Sequence, residues 1–328
     1  MANIACIGHT TLDLILFLSK DNVISSQLEM KNMLCLPYPS KSYVEDRFIS
    51  PGGNAPNVGA GLSTLGHQVF LVSQIGKGEI GRMIMESLKK FDFDLSQTVI
   101  EGKSDMSTIL SYKNDRTILA YHTMHEFACP ASFEHVDWIY LSSLGFDSFG
   151  PFHQRLIECL KTSPTTHIVY NPGKGEIRAG YEALSELLRH VHTLIVNREE
   201  LFKLINQDDD GSEVSLKHAI NTFGTIGVRR VVITDGGNGV YYSDMYDGLY
   251  SVSAIKVDVV EKTGAGDAFS SGYLGGLAYG RSELESVMYG VIQSSRVIIK
   301  PGATNGLLTL DEMNEILSSL DMEPKKIS

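Results

Sequence analysis

From residue 137 onward, short apolar runs alternate with segments of helical period, and this alternation constrains the fold more than any other feature of the chain. The runs at 138–141, 167–170 and 193–196 read as strands, and 151–161 and 181–189 as helices. Strands this short and apolar are buried on both faces, and connections long enough to hold a helix bring each strand back parallel to the last. Such crossovers are right-handed, so the helices must cover both faces of one mostly parallel sheet. Ile4-Ala5-Cys6-Ile7-Gly8 has the same character and opens the fold. A chain of 328 residues can bury one large α/β core with an appendage.

Two stretches depart from the pattern. Residues 21–50 are polar, hold Pro37 and Pro39, and show strand alternation only at 42–49. Residues 106–112 and 117–121 alternate around the turn Asn114-Asp115-Arg116. Both read as β structure inserted apart from the main sheet.

The net charge of −11 argues against a polynucleotide partner, which needs a basic face to displace counterions. No apolar run is long enough for a membrane span, and the N-terminal stretch is broken by His9 and Asp13, so neither anchor nor signal peptide is expected. Cys6, Cys35, Cys129 and Cys159 form no C-x-x-C pair, which fits a reducing cytoplasm better than a disulfide or zinc framework. His122 and His125 lack a third ligand and read as surface or pocket histidines.

The chemistry is concentrated in Glu261-Lys262-Thr263-Gly264-Ala265-Gly266-Asp267-Ala268-Phe269. Residues 257–260 read as the end of a strand, the two glycines as a tight turn, and Asp267 as lying in the first turn of a helix reaching about Tyr279. The amides of Gly264, Ala265 and Gly266 would then point out of the helix start, where the dipole favours an anion such as phosphate. Gly272, Gly275 and Gly276 each cost about 1 kcal/mol against Ala in a helix interior, so another backbone must approach closely. As an isolated Gly-x-Gly-Asp, the feature would be an ordinary turn with an acid stabilising the dipole. The longer Thr-Gly-Ala-Gly-Asp-Ala-Phe resembles the second signature of the PfkB, or ribokinase-like, carbohydrate kinases.

Other segments agree in order. Pro51-Gly52-Gly53-Asn54-Ala55-Pro56-Asn57, running into a helix that ends near Gly66, resembles the first conserved segment of those kinases. The likeness implies that Asp13, Gly52, Gly53, Asn54 and Asn57 hold the phosphate acceptor. Asn197-Arg198-Glu199-Glu200 resembles the family's Asn-x-x-Glu, which implies that Asn197 and Glu200 organise Mg2+ through water, although an acidic helix start needs no metal. The strand and glycine turn at 229–240 imply Thr234, Gly236 and Gly237 against the nucleotide, together with Thr263, Gly264 and Gly266. Pro301-Gly302-Ala303 resembles the loop lining the adenine pocket. Ser282 with Glu285 and Thr309 with Glu312 are capping boxes that start the last two helices.

The resemblance implies a single three-layer ribokinase-like domain over 1–328, with a β lid from about 14–50 and 98–125 that covers the acceptor and mediates a homodimer. It implies ATP-dependent phosphorylation of a sugar-like alcohol, with Asp267 as base and Gly264, Ala265 and Gly266 neutralising the transferred phosphoryl group. The same motif occurs in nucleoside kinases, and Tyr38, Tyr43, Phe48 or Tyr121 could stack a base. Where the family has Asp-Thr, this chain has Glu261-Lys262, which leaves dependence on a monovalent cation such as potassium open. Asn171-Pro172-Gly173-Lys174 lacks the Asp-Pro-Asn pattern of several fructokinases and ketodeoxygluconate kinases.

Gly76-Lys77-Gly78-Glu79-Ile80-Gly81 fits a dinucleotide fingerprint and opens a rival reading as an NAD-dependent oxidoreductase. Its ribose-binding acid would have to be Asp92 or Asp94, which follow a helix with no intervening apolar strand. A Walker A loop is missing, since Gln97 stands where the first glycine ahead of Gly102-Lys103-Ser104 would be. A catalytically silent binding homologue is a further alternative, against which the intact Asp267 and its glycines speak.

Overall fold

The computed structural model describes residues 1–19, 24–28, 31–113, 115–123, 127–144, 149–244, 248–320 and 322–327. His125 and Asn114 lie outside the described residues. Among those described, no helix is long and apolar enough to cross a membrane.

The strands in chain order begin with β1 (Asn3–Ile7), β2 (Thr11–Leu18), β3 (Ile24–Leu28), β4 (Lys31–Cys35), β5 (Val44–Gly52) and β6 (Gln68–Val72). Next come β7 (Gln74–Ile75), β8 (Phe93–Asp94), β9 (Val99–Ile100), β10 (Asp105–Tyr112), β11 (Asp115–Tyr121) and β12 (Trp138–Leu141). The last are β13 (His167–Tyr170), β14 (Val191–Asn197), β15 (Arg230–Thr234), β16 (Val240–Asp244), β17 (Gly248–Val252) and β18 (Lys325–Ile327). The helices are α1 (Asn54–Thr64), α2 (Glu79–Leu88), α3 (Phe149–Leu160), α4 (Lys174–Leu188), α5 (Arg198–Leu204), α6 (Glu213–Ile226), α7 (Ala265–Ala278), α8 (Glu283–Val297) and α9 (Leu310–Ser319).

A ten-stranded sheet runs in the order β18-β17-β16-β15-β14-β13-β12-β1-β6-β8. It is parallel from β8 through β15 and antiparallel from β16 onward. The apolar runs make this possible because successive residues serve opposite cores. Ala5, Ile7, Ile139, Leu141, Ile168 and Tyr170 pack with α3, α4, α5 and α6 on one face. Ile4, Cys6, Tyr140, Val169, Ile195 and Val232 pack with α1, α2, α7 and α8 on the other. Chain order reverses at β1, which lies between β12 and β6. The crevice beyond the strand ends at such a reversal is where open α/β sheets hold ligands.

A second sheet, of order β11-β10-β2-β5, stands apart from the first, and β3 pairs with β4 as a hairpin. The inserted β structure is thus present, and the sheet begins at Thr11. Asp13 lies inside β2, not in the turn after the opening strand.

Helix α7 is packed backbone to backbone. A Cβ on Gly272 would lie 2.4 Å from the Tyr289 carbonyl oxygen, and one on Gly276 would lie 2.8 Å from the Ser286 Cα, both on α8. On its other side, a Cβ on Gly275 would lie 2.5 Å from Leu65 just past α1. Close packing of the core therefore offsets the poor helix propensity of these glycines.

Two expectations need correction. No strand forms at 257–260; the stretch ends with Val260 N donating to the Ile298 carbonyl just past α8, at 2.9 Å, and not to a neighbouring strand. Residues 181–189 prove to be the second half of a longer element, α4, which kinks at Gly180. The fingerprint glycines Gly76 and Gly81 serve local packing: a Cβ on Gly76 would meet the Lys103–Ser104 backbone at 2.2 Å, and one on Gly81 the Gly76 oxygen at 1.7 Å.

Candidate active site

A cleft of about 1050 Å³ opens at the strand ends between the main sheet and the second sheet. Asp13, Gly53, Asn54, Asn57, Asn197, Glu200, Thr234, Gly236, Gly237, Thr263, Gly264, Ala265, Gly266 and Asp267 all line it. Residues from segments more than 200 positions apart thus meet in one space. The fingerprint glycines Gly76, Gly78 and Gly81 do not line it.

Asp267 occupies the third position of α7. Helix dipole and open first-turn amides favour an acid there by about 0.3–1 kcal/mol. The carboxylate is buried, and each oxygen has its own amide donor. Asn54 Nδ2 donates to Oδ1 at 2.7 Å and Asn57 Nδ2 to Oδ2 at 2.8 Å. Burial pushes the Asp267 carboxyl above the usual range, while the Asn57 and Asn54 bonds and the Arg116 charge pull it back. The two asparagines expected to face acceptor hydroxyls are therefore first of all clamps on the acid. Asn57 Oδ1 remains buried without a hydrogen-bond partner among the described residues.

The cradle beside Asp267 is only partly open. Ala265 N donates to the Lys262 carbonyl at 3.2 Å, which corrects the expectation of three free amides. The Gly264 and Gly266 amides have no backbone partner among the described residues. Gly264 sits at φ 78 with Ala303 2.5 Å from where a Cβ would be, so no other residue fits. At Gly236, Gly237 and Gly266 an added Cβ would meet nothing within 4 Å, since these residues face open cleft.

Asp13 approaches from β2. Thr11 Oγ1 donates to its Oδ1 at 2.7 Å. Burial pushes its carboxyl up to about 6; the Thr11 and Ser107 hydroxyls oppose this, and the charges of Asp267 and Glu261 add to it. Gly52 does not line the cleft. It pairs with Thr11 across β5 and β2, and a Cβ there would lie 2.1 Å from Asp13 Oδ2, so its part is to seat the acid.

Asn197 and Glu200 form a capping box at the start of α5. Asn197 Oδ1 accepts from Glu200 N at 2.8 Å, and Glu200 Oε2 from Asn197 N at 2.9 Å. The other two capping boxes, at α8 and α9, are present as read. Burial raises the Glu200 carboxyl, against the bond from Asn197 N. No cluster of three or more metal-ligating side chains occurs among the described residues. With one oxygen of each residue already committed to the cap, the donor set fits water-mediated rather than direct contact with a metal ion.

Beside the main cleft, a smaller, mostly apolar pocket of about 150 Å³ lies between Gly239–Val240, Ile255, Phe269 and Val291. Pro301, Gly302 and Ala303 line neither space; Ala303 packs on Gly264 and Gly302 on Phe48. Tyr38, Tyr43 and Tyr121 are exposed and likewise line neither. His122 is held by Asp105 at 2.9 Å. The cleft also contains residues that sequence reading passed over: His9, Ser107, Arg116, Ile118 and Asn171.

This fold is that of the ribokinase-like kinases. The Methanocaldococcus jannaschii nucleoside kinase, an archaeal member of the ribokinase family, superposes with a TM-score of 0.77 at 20% identity, covering 98% of this chain and 99% of that one. Arabidopsis thaliana ribokinase, complexed with ribose and ATP, gives 0.76 at 16% identity, covering 97% and 99%. Bacillus subtilis ribokinase is 23% identical over 331 residues, covering 97% of this chain and 100% of that one. Residues 1–310 match the pfkB family carbohydrate kinases, and the chain belongs to that family. It is an ATP-dependent sugar or nucleoside kinase, a phosphotransferase with an alcohol group as acceptor.

Proposed function

We propose that the cleft binds the acceptor beside Asp13 and ATP along the α7 start and the 234–240 hairpin, and that Asp267 is the general base. The observation that carries this reading is the Asp267 carboxylate, buried at a helix start between two asparagine donors, where the two halves of the cleft meet. The acceptor O–H gives its proton to Asp267 as its oxygen bonds to the γ-phosphorus; the bond from that phosphorus to the bridging oxygen breaks, and ADP leaves. A carboxyl held above its ordinary range by burial is a stronger base than a free carboxylate. The Gly264 and Gly266 amides and the α7 dipole stabilise charge on the transferred group. The apolar pocket by Phe269 and Val291 receives the adenine.

Magnesium, when bound with the nucleotide, would draw charge from the phosphate oxygens. Glu200, with Glu199 beside it on the cleft wall, would meet its waters. The acceptor wall holds His9, Thr11, Asp13, Asn54 and Ser107, a set that matches hydroxyls, which supports a sugar ahead of a base stacked on an aromatic ring. The second sheet acts as the lid over this subsite. Exposed Leu119 and Tyr121, on the face of β11 opposite to Ile118, support a homodimer formed through the same element.

The test is ADP release across a panel of sugars, sugar phosphates and nucleosides, run with wild type and Asp267→Asn. Asp267→Asn is expected to lower kcat by about 10² to 10⁴ with nucleotide affinity little changed. Turnover at the native rate would remove Asp267 from the role of base.

A further inference from the structure

We propose that Arg116 is a catalytic residue of this reaction, contacting the phosphoryl group in transit from the acceptor-side wall of the cleft. The proposal rests on the functional reading above and adds to it the cation that faces the base.

Arg116 is the second residue of β11, and every other residue of that strand is exposed. A long, charged side chain on an otherwise solvated strand would normally be the one to reach into water. Here it turns inward and lines the cleft with Asp13 and Asp267. Its Nε is buried and has no hydrogen-bond partner among the described residues. Leaving a charged donor in that state costs more than the roughly 1–3 kcal/mol of a neutral one, so a ligand oxygen is the natural complement.

The charges around it point to the kind of ligand. Asp13, Glu199, Glu200 and Asp267 line the same space. Into it the nucleotide brings further negative charge, met by about half a positive one at the α7 start and by Lys256 and Lys262 on the segment leading into α7, whereas Arg116 is the cation that β11 supplies. Arg116 and Asp267 line the same cleft from different elements, β11 and α7, close enough for the positive charge to be felt at the base. The space between them is where the phosphoryl group must pass. A planar fork of donors matches phosphoryl oxygens two at a time. A neutral polyol would already find its hydrogen-bond partners in Asp13, Thr11 and Ser107, and would leave the guanidinium unpaired.

The test does not require the acceptor to be known. Equilibrium affinities for ADP and for the β,γ-methylene analogue of ATP are measured with magnesium in wild type, Arg116→Ala, Arg116→Gln and Arg116→Lys. All four should bind ADP alike, which also reports that each is folded. The Ala and Gln variants should lose about 10- to 100-fold for the analogue alone, with Lys between them and wild type. With any acceptor the wild type turns over, kcat should fall by about 10²-fold or more in Arg116→Ala while acceptor KM stays within about threefold. Equal loss for ADP and analogue, no loss for either, or a raised acceptor KM with kcat kept would each overturn the assignment. Wild type binding neither nucleotide would instead refute the nucleotide site itself, and the proposal with it.

Discussion

Replacing Asp13 by asparagine should make the protein more stable and less active. Burial lifts this carboxyl from its ordinary 3.8 to about 6. A shift of roughly two units corresponds to about 3 kcal/mol held against the ionised form in the folded state. Asparagine keeps the shape and can still accept from Thr11, so about 1–3 kcal/mol should be recovered near neutral pH. The sign follows from proton binding. Because the folded-state value is the higher one, the folded protein holds a proton that the unfolded chain has already released. Stability therefore falls as pH rises from about 4 toward 6, and the whole penalty is present above that. Urea unfolding of wild type and Asp13→Asn from about pH 4 to 7.5 should show no gap at the acid end and a gap that opens and then levels off. The variant should bind acceptor poorly at every pH. A stability difference that stays flat across this window, or a wild type more stable than the variant at pH 7, would refute the argument that burial dominates at Asp13.

Removing one clamp should tune the base: Asn57→Ala takes a donor from Asp267, raises its carboxyl further, and should move the acid limb of the kcat–pH profile to higher pH. A limb that moves down or stays would contradict the assignment of the bond at 2.8 Å. Gly264→Ala forces φ 78 on a residue with a Cβ, which would lie 2.5 Å from Ala303, and should cost about 1–3 kcal/mol in thermal unfolding together with most of the activity. Glu200→Gln keeps an oxygen able to accept from Asn197 N, so stability should change by less than about 1 kcal/mol. The magnesium concentration for half-maximal ADP release should nevertheless rise; an unchanged magnesium requirement would leave Glu200 with its capping role alone.

The parts legible in the sequence were those governed by local pattern. The strands at 138–141 and 167–170 fall where their apolar runs are, since a strand buried on both faces has no other composition available. β17 and the edge strand β18 escaped notice because Gly248, Ser251, Lys325 and Lys326 give them a mixed pattern with no continuous apolar run. The motif residues were visible as types, but their partners were not. The Asn54–Asp267 and Asn57–Asp267 bonds span 213 and 210 positions, and no spacing rule reaches that far. Asn197 and Glu200 have the chemistry of a metal site and the spacing of a cap, and the sequence could not show that the cap uses one oxygen of each. Arg116 gave no signal, because an arginine after a hairpin turn is ordinarily solvated.

The glycine face of α7 divides the two walls of the cleft by how freely they can vary. The helix carrying Asp267 touches α8 through main-chain atoms at Tyr289 and Ser286, so enlarging a residue along that seam displaces the Asp267 carboxylate along with the interior. Asp13, Ser107, Arg116 and Ile118 project from the other sheet, whose far strand is mostly exposed. On the proposed reading, changes of acceptor can therefore accumulate on that wall, strand by strand, while the wall built on α7 stays as it is.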